Sequence, residues 1–315
     1  MSKTTTHPTV LVVGSLNMDL SVRTSRFPNP GETVHGGELK KVPGGKGANQ
    51  ATAAQALGCQ VSIIGAVGDD DFGSTLLAAA QTHGIDTSHV SVLPGIATGS
   101  AMIAISDDGE NTIIVSPGAN GRLLPSHIVE AEALFRDSAV LCLSLETPLA
   151  TVQAAARMGK IHGITSILNL SPYRDVPRDF LDTVDILLVN RHEAAGLLGS
   201  PVIDSNDWEM VQSQFFRAGL TRVVVTLGSQ GAVVLDSTDG ESMPHMVEPL
   251  TVQAVDTTGC GDAFFGAIAQ QIALGAGLTE AASFAAKVAS LTAAREGAQT
   301  SYNVLADTYA GLMES

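Results

Sequence analysis

Aromatic side chains are scarce in this chain, 4% of 315 residues, so few flat surfaces are available on which a planar ligand could stack. Cysteine is scarcer still. Cys59, Cys142 and Cys260 are far apart and odd in number, which disfavours a disulfide framework or a paired zinc motif and fits a reducing cytosol. No run approaches the roughly 20 uncharged apolar residues of a membrane span. Met1 to Pro8 is polar where a secretory leader would be apolar. These absences predict a soluble, cytoplasmic protein. Positive charge is also in short supply: 17 Lys and Arg against 32 Asp and Glu leave a formal charge of −15. The cations are scattered, which argues against nucleic acid and anionic membranes as partners. Any phosphate handled here must be met mainly by backbone amides, helix N-termini and metal ions.

What is present suffices for a sizeable core with an appendage. Short β-branched runs recur at Val10 to Val13, Val61 to Ile64, Val140 to Leu143, Ser166 to Leu170, Ile186 to Val189 and Val223 to Leu227. Each is a candidate buried strand. Between them, Ala48 to Leu57, Ser74 to Gln81, Thr147 to Met158 and Val211 to Ala218 have helical character, several closed by glycine. The alternation predicts an α/β fold with a mostly parallel sheet covered on both faces. Two regions break the rhythm. Asp19 to Val42 holds short extended stretches around Pro28, Pro30 and Gly31, and Gly99 to Val115 reads as two strands joined at Asp107-Asp108-Gly109, a hairpin signal. A small separate sheet accommodates both, either as a lid over the carboxyl ends of the main strands or as surface hairpins. The expected division is a core of residues 1–18, 44–96 and 116–315 and a lid of residues 19–43 and 97–115.

Three stretches carry candidate chemistry. A strand expected to end at Val255 runs into Asp256-Thr257-Thr258-Gly259-Cys260-Gly261-Asp262 and then an apolar helix from about Ala263. Glycines at 259 and 261 let the backbone approach a ligand, and the helix would aim its free N–H groups and positive dipole end at the same spot. Asp262 is placed either to accept a proton from a bound hydroxyl or to cap the helix. Neither common nucleotide fingerprint is present. The last glycine of G-x-G-x-x-G is replaced by Phe264, and for G-x-x-x-x-G-K-[ST] Lys46 is followed by Gly47 while residue 40 is lysine. The second stretch, Pro43-Gly44-Gly45-Lys46-Gly47-Ala48-Asn49-Gln50, makes a close turn before a helix, with Asn49 offering donors and acceptors. The third, Gly14-Ser15-Leu16-Asn17-Met18-Asp19, would set Asn17 and Asp19 on one side of an extended chain. Taken singly, each also reads as a turn or cap.

Together and in this order, these stretches resemble the signatures of the ribokinase-like carbohydrate kinases, the PfkB family, with Gly44 to Gln50 and Asp256 to Phe264 matching its two motifs. The likeness runs from the first strand to Gln299. It implies a three-layer α/β/α core with a mostly parallel central sheet and a small β lid. It also implies ATP-dependent phosphoryl transfer to a primary hydroxyl of a small sugar, the O5 hydroxyl of ribose being the expected acceptor. Deoxyribose, fructose or a nucleoside are alternatives, and a non-catalytic sugar-binding relative is the alternative of another class. By resemblance, Asp262 is the catalytic base, and Gly259, Cys260 and Gly261 form an anion hole. Asn17, Asp19, Gly45, Lys46, Asn49 and Glu146 would surround the sugar. Asn190 and Glu193 look like the N-x-x-E motif associated with magnesium and phosphate, and Thr226, Gly228, Ser229, Gln230 and Gly231, with Gly261, would run along ATP. Asp256, Thr258, Thr292, Arg295, Gly297 and Ser301 correspond to a monovalent-cation site, which implies potassium activation, mostly through backbone carbonyls. Relatives often pair through their lids, so a homodimer is expected.

The chain also departs from the family pattern. Arg191-His192 stands where Glu-Thr is common, Gln230 where Arg or Lys is common in the ATP loop, and Ala286 where some relatives have a histidine near adenine. Cys260 replaces the usual alanine and is either a thiol of lowered pKa at a helix N-terminus or a passive small residue. Of the aromatics, only Phe27 falls in the lid segments, which favours a polyol over a nucleoside. Arg23, Arg26, Lys40 and Lys41 leave a phosphorylated sugar open as acceptor, whereas Asn17-Met18-Asp19 favours a neutral one.

Overall fold

In β1 (Thr9–Val13) successive side chains enter opposite cores: Val10 and Val12 pack on one face of the sheet, Leu11 and Val13 on the other. That two-sided burial marks a central strand of an α/β sheet. The structure is a computed structural model describing residues 7–199, 207–238 and 243–305. Residues 1–6 of the polar stretch Met1 to Pro8 lie outside the described residues. After β1 come β2 (Asn17–Thr24), β3 (Lys40–Gly44), α1 (Lys46–Ala56), β4 (Gln60–Gly68), α2 (Asp71–Thr82), β5 (Asp86–Leu93), β6 (Ser100–Ser106) and β7 (Asn111–Ser116). Then follow α3 (Pro125–Glu130), α4 (Glu132–Asp137), β8 (Val140–Ser144), α5 (Leu149–His162), β9 (Thr165–Asn169), α6 (Arg178–Leu181), β10 (Ile186–Asn190), α7 (Arg191–Leu198) and α8 (Trp208–Arg217). The chain closes with β11 (Arg222–Thr226), β12 (Ala232–Asp236), β13 (His245–Val247), α9 (Cys260–Ala273) and α10 (Leu278–Ala293).

The large sheet has the order β13-β12-β11-β10-β9-β8-β1-β4-β5. It is parallel from β5 to β11, while at one edge β12 pairs antiparallel with β11 and β13 antiparallel with β12. Helices α1, α2, α9 and α10 bury one face, with Phe265 fully enclosed, and α3 to α8 bury the other around Phe135, Phe180 and Phe215. Each such ring contributes about 2 kcal/mol by leaving water. The three-layer α/β/α arrangement expected from the sequence is the one formed. The small sheet, β3-β2-β6-β7, joins both regions that break the βα rhythm, and the hairpin turns at residues 107–110 between β6 and β7.

One expected strand is absent. Residues 248–256 form no strand; the amides of Val255 and Asp256 donate to Ala293 O, at the last residue of α10, at 2.7 and 3.2 Å. That segment meets α10 through these two amides and Leu250 N, which donates to Ser290 Oγ at 3.1 Å, rather than pairing in a sheet, and Leu250, Ala254 and Val255 stay exposed. The helix beyond it starts at Cys260 rather than near Ala263.

The chain leaves β1 for β4 on one side and later resumes at β8 on the other, so the order of strands reverses between β1 and β8. Open α/β sheets bind ligands outside the carboxyl ends of strands at such a reversal. The loops after β1 and β8 carry Ser15, Asn17 and Glu146, and the small sheet grows from the same place, since β2 begins at Asn17 and β3 ends at Gly44.

Candidate active site

A cleft of about 180 Å³ opens at these strand ends, with Lys46, Asn190, Glu193, Thr226, Gly259, Gly261 and Asp262 on its walls, joined by Asn169 and Ser171. Its inner end is the start of α9. Gly259 is the N-cap, in the left-handed region at φ 76°, and its carbonyl accepts from Tyr302 Oη at 2.8 Å. A Cβ there would lie 2.5 Å from that oxygen, so only glycine fits. At Gly261 a Cβ would meet nothing within 4 Å, and the missing side chain leaves the first helical turn open to the cleft. The amides of Gly261 and Asp262 are among those an α-helix leaves without intrahelical acceptors. The Cys260 amide is turned instead to Thr257 O at 3.2 Å.

Asp262 lies in that first turn and does not cap the helix; the cap position makes no side-chain hydrogen bond. Its carboxylate is buried, 8% exposed, and takes one amide on each oxygen: Asn49 Nδ2 donates to Oδ2 at 3.0 Å and Gln50 Nε2 to Oδ1 at 3.1 Å. Gln299 Nε2 donates to Asn49 Oδ1 at 3.0 Å. Neither Gln50 nor Gln299 was expected as a site residue, although Gln50 closes the glycine-rich motif before α1.

The turn before α1 is forced by contact with the loop after β1. Gly45, at φ 91°, caps α1, and a Cβ on it would fall 2.7 Å from Asn17 N. This approach gathers donors around Glu146, whose Oε2 accepts from Ser15 Oγ, from Lys46 N at 3.1 Å and from Asn17 Nδ2 at 3.5 Å. Asn120, in the turn Gly118 to Arg122, fixes Asn17. It donates to Asn17 Oδ1 at 2.8 Å and to Leu16 O at 3.0 Å, and accepts from Leu16 N at 3.0 Å. Nothing local in the sequence marks Asn120. Asp19 follows two residues on, and burial, with Glu146 and Asp262 nearby, pushes its pKa up to about 7. Burial opposes the charge of Lys46, but Asp262, Glu146 and Glu193 outweigh it and hold that ammonium above its usual range. Three carboxylates, Glu146, Glu193 and Asp262, thus share one lysine.

At the outer end, Asn190 and Glu193 form a reciprocal capping box on α7, with Asn190 N donating to Glu193 Oε2 at 2.8 Å and Glu193 N to Asn190 Oδ1 at 2.9 Å. Thr226 is the register partner of Asn190. The loop beyond it closes through Leu227 N to Gly231 O at 2.8 Å and leaves Gly228, Ser229 and Gln230 exposed. The cation missing at 230 has a neighbour: Arg191 Nη2 donates to Gln230 Oε1 at 2.9 Å, and its guanidinium lies 5.5 Å from the Trp208 ring centre. Ala286 is packed in the core, 3% exposed, and offers no side chain to the cleft.

Of the residues expected at a monovalent-cation site, Asp256 and Thr258 lie in the loop before α9, Thr292 in the last turn of α10, and Arg295, Gly297 and Ser301 beyond that helix. Asp256 Oδ1 accepts from Thr258 N and Oδ2 from Gly297 N, both at 2.9 Å. Burial opposes that charge, but these hydrogen bonds outweigh it and lower the Asp256 pKa. The hydroxyls of Thr292 and Ser301 are engaged by Val288 O and Ala298 O, and Arg295 folds back on Leu291 O. The Cys260 thiol is pushed up to about 11 by burial, then by Asp256 and Asp262. That shift accords with the reading of Cys260 as a passive small residue. Among the described residues, no group of three or more His, Cys, Asp and Glu side chains is placed to hold a metal, and no helix is long and apolar enough to cross a membrane.

The signature profile of the pfkB family carbohydrate kinases matches residues 7–304. The chain is 37% identical to the ribokinase of Schizosaccharomyces pombe, covering 93% of this chain and 94% of that protein. It is 36% identical to the ribokinase of Haemophilus influenzae with the same coverage. The solved structure of Arabidopsis thaliana ribokinase complexed with ribose and ATP superposes with a TM-score of 0.87 at 30% identity, covering 96% of this chain and 99% of that one.

Proposed function

The chain belongs to the pfkB family of carbohydrate kinases and is a sugar kinase, and from that premise we propose that it transfers the γ-phosphoryl group of ATP to the O5 hydroxyl of D-ribose, giving ribose 5-phosphate. The observation that carries this reading is the Asp262 carboxylate, which lines the cleft beside the open Gly261 turn of α9. Support for ribose comes from the ribokinases it resembles at 36% and 37% identity, and for ATP from the Arabidopsis relative solved with both ligands.

In this reading the sugar lies among Asn17, Asp19, Gly45, Lys46, Asn49 and Glu146, under the small sheet acting as a lid. Asp262 orients the reacting hydroxyl and accepts its proton late in the transfer. The first-turn amides and dipole of α9 receive the charge building on the phosphoryl group, each well-placed donor contributing about 3 kcal/mol. The triphosphate runs outward past Asn190 and Glu193 to Thr226, Gly228, Ser229, Gln230 and Gly231. Three carboxylates already share the one lysine, so phosphate charge on that path calls for an added cation. Asn190 and Glu193, each with one oxygen already in the capping box, suit magnesium held largely through water. When bound it would neutralise phosphate charge. Potassium would be held by Asp256, Thr258, Thr292, Arg295, Gly297 and Ser301 mostly through backbone carbonyls, since the hydroxyls of Thr292 and Ser301 already donate to Val288 O and Ala298 O. Two copies pair through their small sheets, where edge strand β7 exposes Ile113, Ile114 and Val115. The setting is the cytosol, where Cys59, Cys142 and Cys260 stay free thiols.

The test is a coupled assay with ATP, magnesium and potassium against ribose, deoxyribose, fructose and nucleosides. Ribose is expected to give the highest kcat/KM, with the phosphate on O5. Faster turnover of another acceptor would replace the substrate, and no turnover of any would favour a non-catalytic binding protein.

A further inference from the structure

Resting on the reading of Asp262 as proton acceptor, we propose that Gln50 is a positioning residue of that base: with Asn49 it forms an amide clamp that fixes the plane of the Asp262 carboxylate against the cleft. Consecutive residues of α1 each give one side-chain amide to one carboxylate oxygen, at 3.0 and 3.1 Å. Two bonds to two oxygens stop rotation about the last side-chain torsion, which a single contact would permit. Each oxygen keeps a lone pair, so a hydroxyl proton can still be accepted.

The two amides are supported differently. Asn49 is oriented by Gln299, whose Nε2 donates to its Oδ1 at 3.0 Å. Gln50 has no such second partner. Its side chain is buried, 1% exposed, and its Oε1 makes no hydrogen bond among the described residues. A buried acceptor left without a donor costs stability, so an apolar side chain of similar size would pack better here. Turning the amide over would set Oε1 against the Asp262 carboxylate, which fixes its orientation. The polar end of Gln50 is thus explained by one contact, the one to Asp262. The backbones agree. Gly266 lies one turn beyond Asp262 on α9, and a Cβ there would fall 2.8 Å from Ala53 Cβ and 2.9 Å from Gln50 O. The close approach of α1 to α9 at this glycine brings Gln50 within amide reach of the base.

Steady-state kinetics and thermal melts of Gln50→Leu and Gln50→Glu, with Asp262→Asn as reference, test the clamp. Gln50→Leu removes one unpaired acceptor, Gln50 Oε1, and unpairs another, Asp262 Oδ1, so it is expected to melt within a few degrees of the parent. It should lower kcat about 10- to 100-fold, as small misplacements of a catalytic group do, and move the KM for sugar and ATP by less than about threefold. Gln50→Glu puts a second carboxyl beside Asp262. Its rate relative to the parent should be lowest at high pH and rise as pH falls, when the introduced carboxyl gains a proton and donates in the amide's place. The clamp is overturned if Asp262→Asn abolishes turnover while Gln50→Leu keeps the parent kcat. A loss in both Gln50 variants that is independent of pH and tracks a lower melting temperature overturns it too. Near-parent turnover in Asp262→Asn would remove the base itself, and the clamp with it.

Discussion

On the proposed sugar side of the cleft, functional groups are held by partners remote in sequence: Asn17 by Asn120, 103 residues away, and Asp262 by Gln50, 212 residues away. On the proposed nucleotide side more of the contacts are local, although Arg191 reaches Gln230 across 39 residues. Asn190 and Glu193 cap one helix turn, and the loop after Thr226 closes on itself between Leu227 and Gly231. The sugar side is also buried, whereas Gly228, Ser229 and Gln230 face solvent. A pocket built by tertiary contacts exists only when the whole fold does, and so presents a fixed set of donors and acceptors to its ligand. A surface built by local turns can adjust without disturbing the sheet. Discrimination among acceptors therefore belongs to the first region, and tolerance to change belongs to the second.

This contrast can be broken by substitutions that should affect one side alone. The largest expected effect is on the sugar side, where Asp262→Asn should lower kcat about 10²-fold or more with ATP and sugar binding by calorimetry little changed. A comparable loss of ATP affinity would mean that the two sides are not independent. Smaller is the effect of Arg191→Gln, which takes the cation away from Gln230 and Trp208. The KM for ATP should rise about threefold to tenfold, as for one partly exposed charged contact, while the KM for sugar stays constant. An equal rise in both constants would contradict the division.

The smallest effect is thermal and depends on pH. Asp19 has its pKa raised from 3.8 to about 7 by burial, Glu146 and Asp262. Between those values the folded protein keeps a proton that the unfolded chain has released. The stability due to Asp19 therefore falls as pH rises towards 7 and stays low above it. Asp19→Asn has no such proton to lose. Its melting temperature should match the parent near pH 4 and exceed it by a few degrees near pH 8. A gain of equal size at both would show that Asp19 is not the group titrating.

The same contrast explains what could be read from the sequence. Strands such as Val10 to Val13 and Val223 to Leu227 were legible because burial on both faces demands unbroken β-branched runs. Asn190 and Glu193 were reached through the resemblance, as an N-x-x-E motif and not as a helix cap, whereas the glycines at 45 and 259 were legible because their signals lie within a few residues. Val255 misled, since a short apolar run does not reveal whether its amides will meet a sheet or the end of α10. Asn120, Gln299 and Ser15 were not legible at all. Their roles arise from partners that only the closed fold supplies, and a lone polar residue in a turn looks like any other. Gln50 sat inside a recognised motif, yet its purpose appears only where Gly266 brings α9 against α1.

A crystal structure with ribose and a non-hydrolysable ATP analogue would test the central arrangement most directly. The O5 hydroxyl should lie within about 3 Å of the Asp262 carboxylate, with the terminal phosphate on the Gly261 amide. A sugar that turns another hydroxyl to Asp262, or a triphosphate seated away from the start of α9, would contradict the account.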